Sequence, residues 1–228
     1  METRDVTRWS IAVDGETTSA IVDRASDPDA AATFVFAHGA GGHMEDRGMT
    51  QLTDEFTRRS FHVVRFNFLY REQRSARPDP MPRLQRCIAS VVDRARDALG
   101  ARLLILGGRS MGGRAASMLV ADGYACDGLL LLAYPLHPPG QLNKLRDAHI
   151  PRIRVPVLCF NGTRDTFCDR ALMERAVTTA TTEWTMHWLE GADHSFHVLK
   201  SSGRTDAGVL DEVRDAAATW MRVHGFAS

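Results

Sequence analysis

Leu103-Leu104-Ile105-Leu106-Gly107-Gly108-Arg109-Ser110-Met111-Gly112-Gly113-Arg114 joins two patterns at one point. The run 103–107 is continuously apolar, as expected of a strand covered on both faces, and the Ala-rich stretch 114–120 then reads as a helix. Between them Gly108 to Gly112 spell G-x-S-x-G. A strand-to-helix turn is the setting of a nucleophile elbow, where a strained serine presents its hydroxyl and flanking glycines let strand and helix approach closely. A chain of this composition contains the pattern by chance roughly 0.07 times. Pattern and placement together single out Ser110 as a candidate nucleophile.

The same alternation continues outward. Further apolar runs lie at 33–37, 62–67, 128–133, 157–161 and 183–189. Between them Met49, Leu52 and Phe56 fall three and four apart, as do Leu84, Ile88, Val91, Val92 and Ala95, and Val209 to Trp220 reads as a closing helix. This spacing predicts the α/β class, a mainly parallel central sheet with helices on both faces. Segments 9–13 and 19–22 flank Asp14-Gly15 and predict an antiparallel hairpin at the sheet edge. The proline-rich segments 78–82 and 135–140 mark loops rather than domain joints. With no internal repeat, residues 1–228 read as one domain.

Composition narrows the partners. The 228 residues carry 28 basic and 28 acidic side chains, a balance that argues against nucleic acid or an anionic membrane as partner. No stretch approaches the ~18 apolar residues of a membrane span, and Met1-Glu2-Thr3-Arg4-Asp5 leads into no signal region. Cys87, Cys126, Cys159 and Cys168 show no paired spacing, so reduced thiols and a cytoplasmic location are expected. Neither G-x-x-x-x-G-K-[ST] nor G-x-G-x-x-G occurs, so no nucleotide cofactor is expected. Monomer and homodimer both remain open.

A serine hydroxyl needs a base to take its proton and an acid to hold that base's tautomer. In a strand-turn-helix hydrolase these follow in the order Ser, Asp or Glu, His, each on a loop after a later strand. Asp165 follows the run 157–161 and His194 follows 183–189, at the strand ends where open α/β sheets hold ligands. Asp169 is better placed than Asp165 to cap the next helix. Asp193 is an alternative acid, although it would have to turn back on its neighbour. His197 is an alternative base or half of a metal pair with His194, but no third ligand accompanies them, so no metal is expected. His38-Gly39-Ala40-Gly41-Gly42 follows the run 33–37, and such a loop can turn N–H groups toward a developing oxyanion. The expected donors are the amides of Met111 and Ala40, with Gly41 as second choice.

These segments, with Arg65-Phe66-Asn67-Phe68, Tyr134-Pro135-Leu136-His137-Pro138-Pro139 and Asn161-Gly162-Thr163-Arg164-Asp165, resemble one family from about residue 33 to the C-terminus. The chain is similar to the small bacterial α/β-hydrolases distantly related to dienelactone hydrolase. Its closer resemblance is to a branch that includes a testis-expressed eukaryotic protein and a subunit of a nuclear histone-acetylation complex. The resemblance implies an α/β-hydrolase fold and a serine hydrolase acting on carboxylic esters. Dienelactone hydrolase itself uses cysteine where this chain has Ser110. The nuclear relative serves as a scaffold, so the resemblance also admits a catalytically silent interaction module.

The connection between Ala133 and Val157 is about twenty residues long and broken by prolines. It has room for one short helix near 141–149 but not for a cap domain. Tyr134, Leu136 and His137 on one side, with Tyr70 and Arg71 on the other, are expected to rim a shallow pocket. Short-chain acyl esters are the expected substrates, because an open site offers a long chain little surface to bury against.

Overall fold

Asp14 and Gly15, both at positive φ (52° and 80°), turn the chain between the first two strands, the conformation a tight two-residue hairpin demands. The computed structural model describes residues 6–25, 32–58 and 61–226. Its strands are β1 (Val6–Val13), β2 (Glu16–Asp23), β3 (Ala32–Ala37), β4 (Phe61–Phe66), β5 (Leu103–Arg109), β6 (Gly128–Leu132), β7 (Val157–Gly162) and β8 (Trp184–Leu189). They form a single eight-stranded sheet in the order β1-β2-β4-β3-β5-β6-β7-β8. From β4 to β8 every pairing is parallel, whereas β1 and β2 add an antiparallel edge. The expected hairpin is therefore present and sits at the expected edge.

The helices are α1 (Arg47–Thr57), the single turn α2 (Leu69–Glu72), α3 (Met81–Leu99), α4 (Met111–Ala121), α5 (Arg170–Val177) and α6 (Asp206–Val223). They divide between two apolar layers. On one face Leu84, Ile88 and Val91 of α3, Ala115 and Ala116 of α4 and Met173 of α5 pack with Val35, Val64, Leu106 and Leu131. On the other, Met49, Leu52 and Phe56 of α1 and Val209, Val213 and Trp220 of α6 pack with Phe34, Phe36, Ile105 and Phe160. Alternate residues of β3 and β5 thus feed opposite layers, which is why these strands are apolar without interruption. Asp169 caps α5, its Oδ1 accepting from the Leu172 amide at 2.9 Å, so Asp165 is free of that duty.

The connection from β6 to β7 carries no cap domain. The room it has for a short helix near 141–149 is not used for one, since the first helical turn there is the 3₁₀ segment Ile150–Arg152. Tertiary bonds take the backbone groups a helix would need. The Arg146 amide donates to the Leu136 carbonyl at 2.8 Å, and the Arg146 carbonyl accepts from the Tyr134 hydroxyl at 2.6 Å.

One buried ion pair fixes the segment before α1. Arg65 is 4% exposed and Asp23 2%. Arg65 Nε and Nη2 donate to the two Asp23 oxygens at 2.8 and 3.1 Å, and Nη1 donates to the Met44 carbonyl at 2.7 Å. The bidentate geometry satisfies both charges where water is excluded. It ties β2, β4 and the 38–46 loop together. No helix among the described residues is long and apolar enough to cross a membrane, and all four cysteines are free thiols.

Candidate active site

Ser110 stands between β5 and α4 with φ 50° and ψ −116°, a conformation that costs a non-glycine residue energy and persists only where the surroundings enforce it. The enforcing contacts are with β3. A Cβ at Gly108 would lie 2.3 Å from the Ala37 carbonyl oxygen, and one at Gly112 would lie 2.5 Å from that of His38. Only glycine lets the turn cross β3 this closely. The Ser110 amide meanwhile donates to the Leu132 carbonyl at 2.8 Å, which anchors the turn to β6.

β3, β5, β7 and β8 run parallel, so the loops after all four emerge at one edge of the sheet. Those loops bring Ser110, Asp165 and His194 together. His194 Nε2 lies 2.9 Å from Ser110 Oγ, and His194 Nδ1 lies 2.8 Å from Asp165 Oδ2. A carboxylate can only accept, so the ring proton sits on Nδ1 and Nε2 is left to accept from the serine hydroxyl. Asp165 is held by two further donors, the Phe167 amide at 2.8 Å and Asn161 Nδ2 at 3.2 Å, and its side chain is fully buried. The Phe167 ring lies against the imidazole, with centroids 4.3 Å apart.

The two alternatives raised by the sequence lie elsewhere. Asp193 Oδ1 accepts from the Ser195 and His197 amides at 2.7 and 3.0 Å and so shapes the loop that carries His194. His197 is exposed and bonded to Asp206 at 2.9 Å.

The 38–42 loop is oriented from below. Nε2 of the fully buried His38 accepts from the Phe68 amide at 3.1 Å, so the ring proton is on Nδ1, which donates to the Gly39 carbonyl at 2.7 Å. The Gly39 carbonyl also accepts from the Gly42 amide at 3.0 Å. Carbonyl and N–H of one peptide plane point in opposite directions, so the Ala40 N–H faces away from these partners. At the first position of α4 the Met111 N–H has no intrahelical acceptor. Neither amide donates to another described residue.

Burial holds His38 and His149 neutral, pushing each from 6.5 down to about 4. Both values are depressed, so unfolding takes up protons between these limits, and the contribution to stability is complete above pH 6.5 and lost as pH falls toward 4. For His38 the loss is on the order of 3 kcal/mol. His197 is shifted the other way by Asp206, but it is exposed and solvent screens it. Urea unfolding at fixed ionic strength should therefore show stability falling between pH 6.5 and 4.5. A constant unfolding free energy across that range would contradict the account of the two buried histidines.

A cavity of about 780 Å³ opens over Ser110. Gly39, Ala40, Gly41 and Gly42 form one side, while Met49, Phe167, Phe196 and Leu210 supply apolar wall and Asp46, Arg47, Arg109 and Asp206 supply charge of both signs. None of the five residues expected to rim the pocket lines it. Tyr70, Tyr134, Leu136 and His137 are buried, and their polar groups are used internally. The Tyr70 hydroxyl donates to the Ala40 carbonyl at 2.6 Å, so Tyr70 braces the glycine-rich loop from behind. Tyr134 pins the β6–β7 connection through Arg146, and Leu136 packs in the core. His137 Nε2 accepts from the Asp169 amide at 2.9 Å. Arg71, on α2, is half-buried and outside the cavity lining.

The model for the family described as alpha/beta hydrolase domain matches residues 30–222. The chain belongs to the α/β-hydrolase family. Solved structures agree on the fold. A dienelactone hydrolase from Anabaena variabilis aligns with TM-score 0.77 at 16% identity, covering 97% of this chain and 98% of that one. An alpha-beta serine hydrolase homologue from Coxiella burnetii gives 0.76 at 18%, covering 93% and 96%. A serine hydrolase without lid from Xanthomonas campestris gives 0.73 at 20%, covering 94% of each. This α/β-hydrolase thus shares its fold with a dienelactone hydrolase and with two serine hydrolases. The cavity walls escaped the sequence reading, although Phe167 and Phe196 each stand two residues beyond a candidate catalytic residue and Arg109 stands inside the G-x-S-x-G pattern.

Proposed function

We propose that this α/β-hydrolase is a serine hydrolase that cleaves carboxylic esters through an acyl-enzyme. The observation that carries the reading is the 2.9 Å approach of His194 Nε2 to Ser110 Oγ with Asp165 on the far ring nitrogen. Ser110 Oγ attacks the ester carbonyl carbon as its proton passes to His194 Nε2. The carbonyl electron pair moves onto oxygen, where the Ala40 and Met111 amides receive it, each donor being worth about 3 kcal/mol in such sites. Collapse of the adduct breaks the bond to the alcohol oxygen, which leaves with the proton from His194. Water then enters, gives its proton to the same nitrogen and attacks the acyl carbon, and the acid departs with Ser110 restored.

Short acyl groups suit the cavity best. Its apolar wall is a small patch of Met49, Phe167, Phe196 and Leu210, and the β6–β7 connection builds no roof above it. The lidless relative from Xanthomonas campestris supports the same picture. Each methylene beyond that patch stays in water and forgoes the ~0.8 kcal/mol that burial would bring. A series of p-nitrophenyl esters below the micellar limit should give the highest kcat/KM from acetyl to roughly hexanoyl, following the limited burial available. A steady rise out to palmitoyl would refute the open-site reading.

A further inference from the structure

The loop that carries His194 follows β8, the last strand of the sheet, which has a paired neighbour on one side only. Its internal bonds set its shape. Asp193 Oδ1 accepts from the Ser195 and His197 amides, and Ala192 bridges to Val198. Outward bonds tie it to two neighbours. The Ala192 carbonyl accepts from the Arg164 amide, just after β7, at 2.9 Å, and the Val198 amide donates to Asp206 Oδ1, on α6, at 3.0 Å. Neither reaches the turn that holds Ser110. Nucleophile and base thus come from separate strands, and a proton passes between them only while Oγ and Nε2 stay within hydrogen-bond reach.

Arg109, the residue before Ser110, makes the link. Its Nη2 donates to the His194 carbonyl at 3.1 Å, and its guanidinium carbon lies 5.3 Å from the centre of the Phe196 ring. The side chain therefore grips the base loop on either side of Ser195. Against its other edge lies Gly48 in the first turn of α1, where a Cβ would come within 3.3 Å of Nη1. Apart from the bond between His194 and Ser110 itself, these are the hydrogen-bond and ring contacts that join the end of β5 to the His194 loop among the described residues.

An ion pair does not account for the position. Asp46, Arg47 and Asp206 line the same cavity, but Asp46 pairs with His43, Asp165 with His194 and Asp206 with His197, and no described carboxylate lies within ion-pair distance of Arg109. Burial lowers its pKa against the opposing pull of the more distant Asp193, Asp165 and Asp46. A guanidinium desolvated for one carbonyl and one ring adds little to stability. Its planar fork does fix the direction of the bond it makes.

We propose that Arg109 is a positioning residue that holds the His194 loop against the Ser110 turn and so keeps the base in line with the serine. The inference rests on the serine-hydrolase reading and concerns how that site stays assembled. Displacing a reacting group by about 1 Å can cost about a hundredfold in rate.

The rate at which a neutral fluorophosphonate labels Ser110, compared across Arg109→Met, Arg109→Gln and Arg109→Lys, tests it without a charged substrate. Methionine keeps an apolar stem and has no N–H, glutamine has a donor that stops short of the carbonyl, and lysine carries a donor to a similar reach. Labelling of the Met and Gln variants should slow by about tenfold to a hundredfold, with the Lys variant within about fivefold of wild type. On p-nitrophenyl acetate the loss should fall in kcat with KM held within about twofold, because a neutral acetyl group gives a guanidinium nothing to bind.

A purely structural role would lower the urea unfolding midpoint and leave the folded protein labelling at the wild-type rate. Wild-type labelling in the folded Met and Gln variants therefore overturns the inference and leaves the serine-hydrolase reading standing. So does a Lys variant no faster than the Gln variant, the comparison that decides if Arg109→Met does not fold. A loss confined to KM would make Arg109 a binding group and overturn the inference too. Absence of labelling in the wild type overturns the serine-hydrolase reading, and the inference with it.

Discussion

Replacing Ser110 with alanine is expected to lower kcat on a short-chain ester by about 10⁶, the scale of loss when the serine of such a triad is removed. The size follows from what Oγ does. In the proposed mechanism it forms the bond to the acyl carbon, and neither His194 nor the amide donors could substitute for it, so what would remain is catalysis by the oxyanion donors and by binding. The fold should tolerate the change. The contacts that force the turn are made by the backbone and by Gly108 and Gly112, and the Ser110 amide bond to Leu132 is kept. Purified Ser110→Ala protein with an unchanged unfolding midpoint and more than a tenth of wild-type activity would remove Ser110 from the mechanism.

Asp165→Asn is expected to cost on the order of 10⁴ in kcat with the structure intact. The carboxylate accepts from the Phe167 amide, Asn161 Nδ2 and His194 Nδ1, and an asparagine keeps the volume and some of these bonds. Its NH₂ group can, however, donate to Nδ1. The ring proton then moves to Nε2, the nitrogen that has to accept from Ser110, and the base is lost through its tautomer. Asp193→Asn should be mild by comparison, within roughly tenfold, because Asp193 bonds only to the loop amides of Ser195 and His197 and touches no reacting atom. Kinetics of the two variants side by side decide between the acids. The opposite ranking would make Asp193 the partner of His194.

Features that depend on neighbouring residues were legible in the sequence. The elbow at Ser110 needs a strand, a strained turn and small residues, and all three lie within 103–114. That the loops of Asp165 and His194 meet Ser110 was legible from chain order, because parallel strands deliver their following loops to one edge. The hairpin at Asp14-Gly15 follows from local turn chemistry in the same way. The pocket rim was not legible. After β4 and β6 the residues Tyr70, Tyr134 and His137 carry polar tips that suit a binding surface, yet each tip turns inward to a backbone group at Ala40, Arg146 or Asp169. The direction of a loop side chain depends on which buried backbone group lacks a partner, and that is set by tertiary packing. The cavity's apolar walls come partly from Phe167 and Phe196 and partly from Met49 of α1 and Leu210 of α6, elements far apart in sequence that meet over the other face of the sheet.

The central claim is that Ser110 is an activated nucleophile, and its most direct test is exposure of the folded wild-type protein to a fluorophosphonate, followed by intact-mass measurement and peptide mapping. Such a probe reacts with a serine whose proton is drawn off by a base and whose adduct oxygen is held by positioned donors. The account predicts one phosphonyl adduct per chain, mapped to Ser110 and absent from Ser110→Ala. No adduct on folded protein, or an adduct on another residue, would contradict it.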